Sequence, residues 1–250
     1  MNALIASEIL KLRTTRTFFG LTGAALGLVL LITTLAAALA PWDDENTPFT
    51  ELIGIASLAG IFALVLGILA ISTEFRHGTV TPSLLAVPNR PVWALSKLIA
   101  NGVAGLALGL AAVLIPALVV LLIFSIRGIE GNADTEEVIR IVAGCTVGAG
   151  LLAALGVGLG ALIRNQAGAI VVALVWLFFL EGLLGIIPGL DEIVPKYAPG
   201  AAWGAVTGTD QTADQLGQVP AGLVLVGWAA LFLVAGIGLL RRRDVAANSS

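Results

Sequence analysis

Glu74, Arg76 and His77 fall within four residues of one another in the stretch "STEFRHGTVTPSLLAVPNR", residues 72–90, between two long apolar runs. A carboxylate, a guanidinium and an imidazole set this close could move protons, pair with each other, or form a charged docking surface. The rest of the chain offers little more chemistry. His77 is the only histidine and Cys145 the only cysteine, a poor set for a nucleophilic triad or a metal site. His77 itself reads as a surface residue rather than a proton switch. One cysteine also excludes an internal disulfide. No GxxxxGK[ST] segment occurs, so the chain is not expected to hydrolyse ATP alone. The basic residues are few and flank apolar runs, which speaks against nucleic-acid binding. Glu181 is the remaining chemical candidate. Sixteen residues from Asn165 advance about 24 Å, short of the ~30 Å hydrocarbon core. Two placements therefore stand: the outer interface, or a translocation-path or packing role inside the bilayer.

The elements that must position these residues follow from composition. Of 250 residues, 58% are hydrophobic and 12% charged, with a mean hydropathy of +1.02. That is the signature of a polytopic membrane protein rather than a soluble core with a polar shell. A helix needs roughly 20 apolar residues to cross a bilayer, and the runs place six transmembrane helices at about 18–41, 50–73, 95–126, 139–163, 166–187 and 219–240. The whole chain, 1–250, reads as a single all-α transmembrane domain, with an outer segment at 188–218. Tyr197 and Trp203 in that segment would suit the membrane interface and the outer gate. "TGTDQTADQLGQ" reads as a solvated loop.

Charge orients the spans. Segments 1–16, 74–97, 164 and 241–250 hold ten Lys/Arg and three acids, whereas 43–51, 127–140 and 181–214 hold three Lys/Arg and thirteen acids. The positive-inside rule then puts both termini in the cytoplasm, with the protein in the cytoplasmic (inner) membrane. Residues 3–16 read either as an amphipathic elbow helix or as a simple basic flank. In the first reading Ile5, Ile9 and Leu12 form the apolar stripe, Glu8 and Lys11 lie on the polar side, and Arg13 and Arg16 fall near the turn into the first span. In the 74–93 loop, Thr81-Pro82 reads as a helix start, Pro88 as its end, and Trp93 as an interfacial anchor. Gly105/Gly109, Gly144/Gly148 and Gly156/Gly160 invite close helix packing within one subunit. Pro116 is expected to kink the third span.

At these positions the chain resembles the permease subunits of ABC-2-type exporters. That family commonly carries an E-[FY]-R-x-G-T element after its second span. A short leucine-containing helix follows, then an R near a P, and a K opening the third span. The matching residues here are Glu74, Phe75, Arg76, Gly78, Thr79, Leu84, Leu85, Pro88, Arg90 and Lys97, with His77 inside the element. Pro82 departs from the pattern, since many relatives continue with a non-proline polar residue. The resemblance extends over the whole chain.

It implies a short cytoplasmic coupling helix between spans 2 and 3, docking on a separate ATP-binding subunit. It also implies a complex of two ATPase subunits with two permeases, the second a homodimer mate or a paralogue. ATP and Mg would be bound by the ATPase subunits, with no cofactor in this chain. Glu74 and Arg76 would be a charged hinge, paired with each other or with a neighbouring span's end, or would merely mark the membrane surface. The low interior charge favours hydrophobic or amphipathic cargo. An ATPase-independent transporter or channel using Glu181, and a membrane enzyme or scaffold, are the competing classes.

Overall fold

A computed structural model of the chain describes residues 1–40, 49–129, 134–209 and 215–247, with side chains described as far as residue 239. Four parts of the sequence reading lie outside the described residues: the end of the first span at 41, the acidic stretch to 48, the loop at 130–133, and positions 210–214 of the polar run.

Every described element is helical. α1 (Asn2–Thr14) precedes the first span, α2 (Arg16–Leu39). The second span joins α3 (Phe49–Gly54) through a 3₁₀ turn to α4 (Ala59–Arg76). The short α5 (Val80–Ala86) follows, then the long α6 (Arg90–Arg127) and α7 (Thr135–Leu162). The fifth span is α8 (Gln166–Val175), a π-helical stretch at Trp176–Leu180, and α9 (Glu181–Leu184). α10 (Val194–Tyr197) and α11 (Pro199–Thr207) precede the last helix, α12 (Gln218–Ala247). Six helices are long and apolar enough to cross a membrane: Arg16–Leu39, Phe49–Arg76, Arg90–Arg127, Thr135–Leu162, Gln166–Leu184 and Gln218–Leu239. The chain is an all-α multi-pass membrane protein.

α7 is the centre, packed against α4, α6 and α12. Its small residues permit this. A Cβ on Gly156 would strike the backbone oxygen of Leu64, and one on Gly67 would strike that of Ala153. Gly105 and Gly109 similarly meet Ala149 and Cys145 of α7, and Gly144 and Gly148 meet α11. Without water to drive association, close backbone approach supplies the contact energy in lipid. The outer helices keep large apolar side chains exposed, among them Leu35, Leu39, Phe179, Leu223 and Val234, as a lipid-facing surface requires.

Three local expectations are corrected. α5 begins at Val80 rather than at Thr81-Pro82, with Thr79 at the cap position. Pro82 is then the third helical residue, still among the first four whose N–H has no helical partner. Trp93 is buried within the bundle instead of anchoring at an interface. The third span starts earlier than 95: Asn89 caps it by accepting from Val92 N at 3.3 Å, and Pro91 sits in its first turn. α6 has 38 residues, about 57 Å at ~1.5 Å each, and runs unbroken through Pro116.

Candidate functional site

At the end of the bundle carrying α1 and α5, three helix termini converge. α1 ends where Thr15 turns extended (φ −92°, ψ 121°), with the Thr14 and Thr15 hydroxyls donating to the Leu10 and Lys11 carbonyls at 3.0 and 2.6 Å. α4 ends at Arg76 and is stopped by Gly78 just beyond it, whose φ of +67° suits glycine. Thr79 N then donates to Glu74 O at 2.9 Å, closing the left-handed stop. This stop redirects the chain into α5, while Asn89 starts α6 back into the bundle.

Between these termini lies Lys97, 0% exposed. Its Nζ donates to Glu74 Oε1 at 2.5 Å and to Glu8 Oε2 at 3.0 Å, and lies 5.2 Å from the centre of the Trp93 ring. Lys11 Nζ completes the cluster, donating to Glu8 Oε1 at 2.7 Å and to Glu74 Oε1 at 3.1 Å. Two carboxylates and two ammonium groups thus form a neutral junction across α1, α4 and α6. Burial alone would pull the Lys11 pKa down most strongly, but the hydrogen bonds and charges of Glu8 and Glu74 together outweigh it, and the pKa is raised.

This corrects two positions. Glu8, expected on the polar side of α1, is only 8% exposed and lies among half-buried Leu4, Ile5, Ile9 and Leu12. Lys97, expected as a basic flank of the third span, is the most deeply enclosed charge of the junction. The reason is shared: a lysine about two turns inside a packed helix needs carboxylates from the helices facing it. Glu74 accordingly pairs with the start of the third span rather than with Arg76. Arg76 points elsewhere, donating to Gln166 Oε1 at 3.4 Å, while Arg164 lies 4.8 Å from the Phe75 ring. His77, Arg13 and Arg16 are exposed, as is Pro88; Arg90 is half-buried. Along α5, Leu84 packs towards Ile71 and Trp93, whereas Leu85 is 78% exposed.

At the opposite end, the π-helical stretch, a register shift within the fifth span, precedes Glu181. This carboxylate, 8% exposed, accepts from Gly200 N at 2.7 Å and Ala201 N at 2.9 Å, so that it caps α11. Beside it opens a cavity of about 570 Å³ lined by Ser57, Glu181, Trp203, Thr207 and Gln215. Tyr197 is exposed and its carbonyl accepts from Trp228 Nε1 at 2.8 Å. Trp203, expected at the interface, instead lies half-buried against Gly60 and Gly148. Among the described residues no cluster of three or more His, Cys, Asp or Glu is arranged to hold a metal ion.

Asn101 was not singled out by sequence reading, yet it is only 2% exposed and lines the same junction. Its signal was available: a lone amide four residues after Lys97 on one helical face. Compared with known proteins, the chain matches no family model, and no curated protein matches it.

Proposed function

We propose that this chain is the permease subunit of an ATP-binding cassette exporter, powered by a separate ATPase and moving a hydrophobic or amphipathic substrate. The observation that carries the reading is the junction of Glu8, Lys11, Glu74 and Lys97 at the α4 terminus, which Thr79 N, donating to Glu74 O, ties to the start of α5 with its exposed Leu85. A docking surface on α5 connects through Gly78 and Glu74 to α4, and through Lys97 and Glu8 to α6 and α1. Displacement of α5 is thereby shared among three helices. In this reading both termini are cytoplasmic in the inner membrane, and two such permeases work with two ATPase subunits that bind ATP and Mg. The competing reading, an ATPase-independent transporter using Glu181, finds less support because both carboxylate oxygens are engaged by backbone N–H groups.

The test is co-purification with the P-loop ATPase encoded nearest to this gene. Leu85→Asp should abolish the complex while leaving the melting temperature of the permease unchanged, because Leu85 contributes little to its own fold. Glu74→Gln should keep the complex but uncouple its ATPase activity from transport. Failure of the wild type to bind any ATPase would refute the proposal.

A further inference from the structure

The junction leaves two buried acceptors without donors. Both lysines bind Glu74 through Oε1; among the described residues its Oε2 has no hydrogen-bond partner. Asn101 Nδ2 donates to Lys97 O at 2.9 Å, which fixes the amide orientation and leaves Oδ1 without a donor among the described residues. Glu74 is 9% exposed and Asn101 2%, so bulk water does not satisfy either. Both line a cavity of about 240 Å³ between α1, α2 and α4, below the usual ~300–1,000 Å³ of a drug-sized site. Buried polar groups are rarely left unpaired, so the cavity calls for a small group rich in donors.

The remaining lining says what that group is attached to. On α4 the lining runs from Arg76 to Leu66, a rise of about 15 Å at ~1.5 Å per residue. It passes from Arg76 and Lys11 to Leu12, Phe18, Leu66 and Leu69. The four junction charges already cancel, so a ligand of net charge fits less well than a zwitterion. Donors that can meet an anion, on Lys11 and Arg76, lie at the polar end. The free acceptors lie beside them, and an apolar track leads towards the membrane core. Lys97 does not line the cavity and is spent on Glu74 Oε1 and Glu8 Oε2.

We propose that this cavity binds a phospholipid bearing a primary-ammonium headgroup, with its ammonium on Glu74 Oε2 and Asn101 Oδ1, its phosphate at Lys11 and Arg76, and an acyl chain along Leu66, Leu69 and Phe18. The shared recognition chemistry is a phosphate next to an N–H-donating ammonium. A quaternary ammonium has no N–H to give, and a phosphoglycerol headgroup lacks the cation. The lipid joins α1 to α4 independently of whether an ATPase docks on α5.

The test uses the full chain in neutral detergent, titrated with phosphatidylethanolamine, phosphatidylcholine, phosphatidylglycerol and soluble O-phosphoethanolamine, and read by native mass spectrometry and melting temperature. One phosphatidylethanolamine per chain, held at least about tenfold more tightly than phosphatidylcholine, supports the site; a tenfold preference corresponds to ~1.4 kcal/mol. Asn101→Leu and Ala70→Phe, the second filling the cavity from α4, should erase that preference. Ala70→Phe leaves the junction charges untouched, so it stays decisive if Asn101→Leu folds poorly. Equal retention of the two zwitterionic lipids, or phosphatidylglycerol binding as well as phosphatidylethanolamine, would overturn the headgroup assignment. Soluble O-phosphoethanolamine binding as tightly as the lipid would overturn the acyl track. Absence of any retained lipid would mean that water fills the cavity and the proposal fails.

Discussion

Lys97→Met separates charge from packing at the junction. Methionine is close in length and volume to the lysine stem, so little cavity is created. What disappears is the ammonium group that meets Glu74 Oε1 at 2.5 Å and Glu8 Oε2 at 3.0 Å. Both carboxylates remain under a tenth exposed, with Lys11, half in solvent, as the one cation left on them among the described residues. Breaking a buried pair from one side costs on the order of 3–5 kcal/mol because the orphaned charge stays buried. For a chain of this size roughly 2–4 °C accompany each kcal/mol, so the melting temperature should fall by about 6–20 °C in detergent. The variant Glu8→Gln/Glu74→Gln/Lys97→Met removes all three enclosed charges and should regain most of that loss, since no buried ion is left unpaired. Two results would refute the reasoning: Lys97→Met melting within ~2 °C of wild type, or the triple variant falling further than the single.

Glu181→Gln keeps the shape but turns one acceptor into an amino group facing Gly200 N and Ala201 N; hydrogen bonds to charged groups contribute ~1.5–3 kcal/mol, and faster amide exchange at 200–201 should report the loss, unchanged protection counting against the cap. Gly156→Val drives a side chain into the Leu64 carbonyl and should cost at least ~1–3 kcal/mol, whereas Gly23→Ala, with open space around it, should be neutral or gain up to ~1 kcal/mol of helix propensity; equal melting of the two variants would contradict the packing described. Lys11 carries a raised pKa, so its stabilisation is complete below the unfolded value and lost as pH rises through the folded one. The melting difference between wild type and Lys11→Met should therefore stay constant from about pH 7 to 9.5 and shrink above roughly pH 10.5, and a difference that shrinks already near pH 8 would exclude this pairing.

The six apolar helices were legible because a bilayer demands long apolar runs and leaves each one visible in the chain. A helix break was legible too where a local residue dictates it, as at Pro88. The junction was not. Glu8, Glu74 and Lys97 stand far apart in sequence, each beside other polar residues, and each reads singly as a membrane-surface charge. Only packing shows that α1 lays Glu8 inward. Trp93 misled for the same reason: an aromatic near a basic residue is common at interfaces, and here the ring closes over a lysine instead. Trp203 needed Gly60 and Gly148 opposite it to be accommodated, a match across three helices that no local pattern contains.

The interior of the bundle and its charged end are fastened by different chemistry, and that difference determines where movement can enter. Around α7 the glycines bring backbone onto backbone: at Gly67 against Ala153 and Gly156 against Leu64 no side chain stands between α4 and α7 to change rotamer. Those helices must move together, because a packed interface shifts between discrete arrangements rather than bending continuously. The charged end is held by long lysine side chains, whose ammonium groups can keep a carboxylate through a rotation that would break a backbone contact. Thr15 and Gly78, both outside helical geometry, are the joints on either side of that fastening. On the proposed function, a pull on α5 would therefore turn α1 about Thr15 while α4 and α7 move as one body. Lys97 would hold the two parts in register.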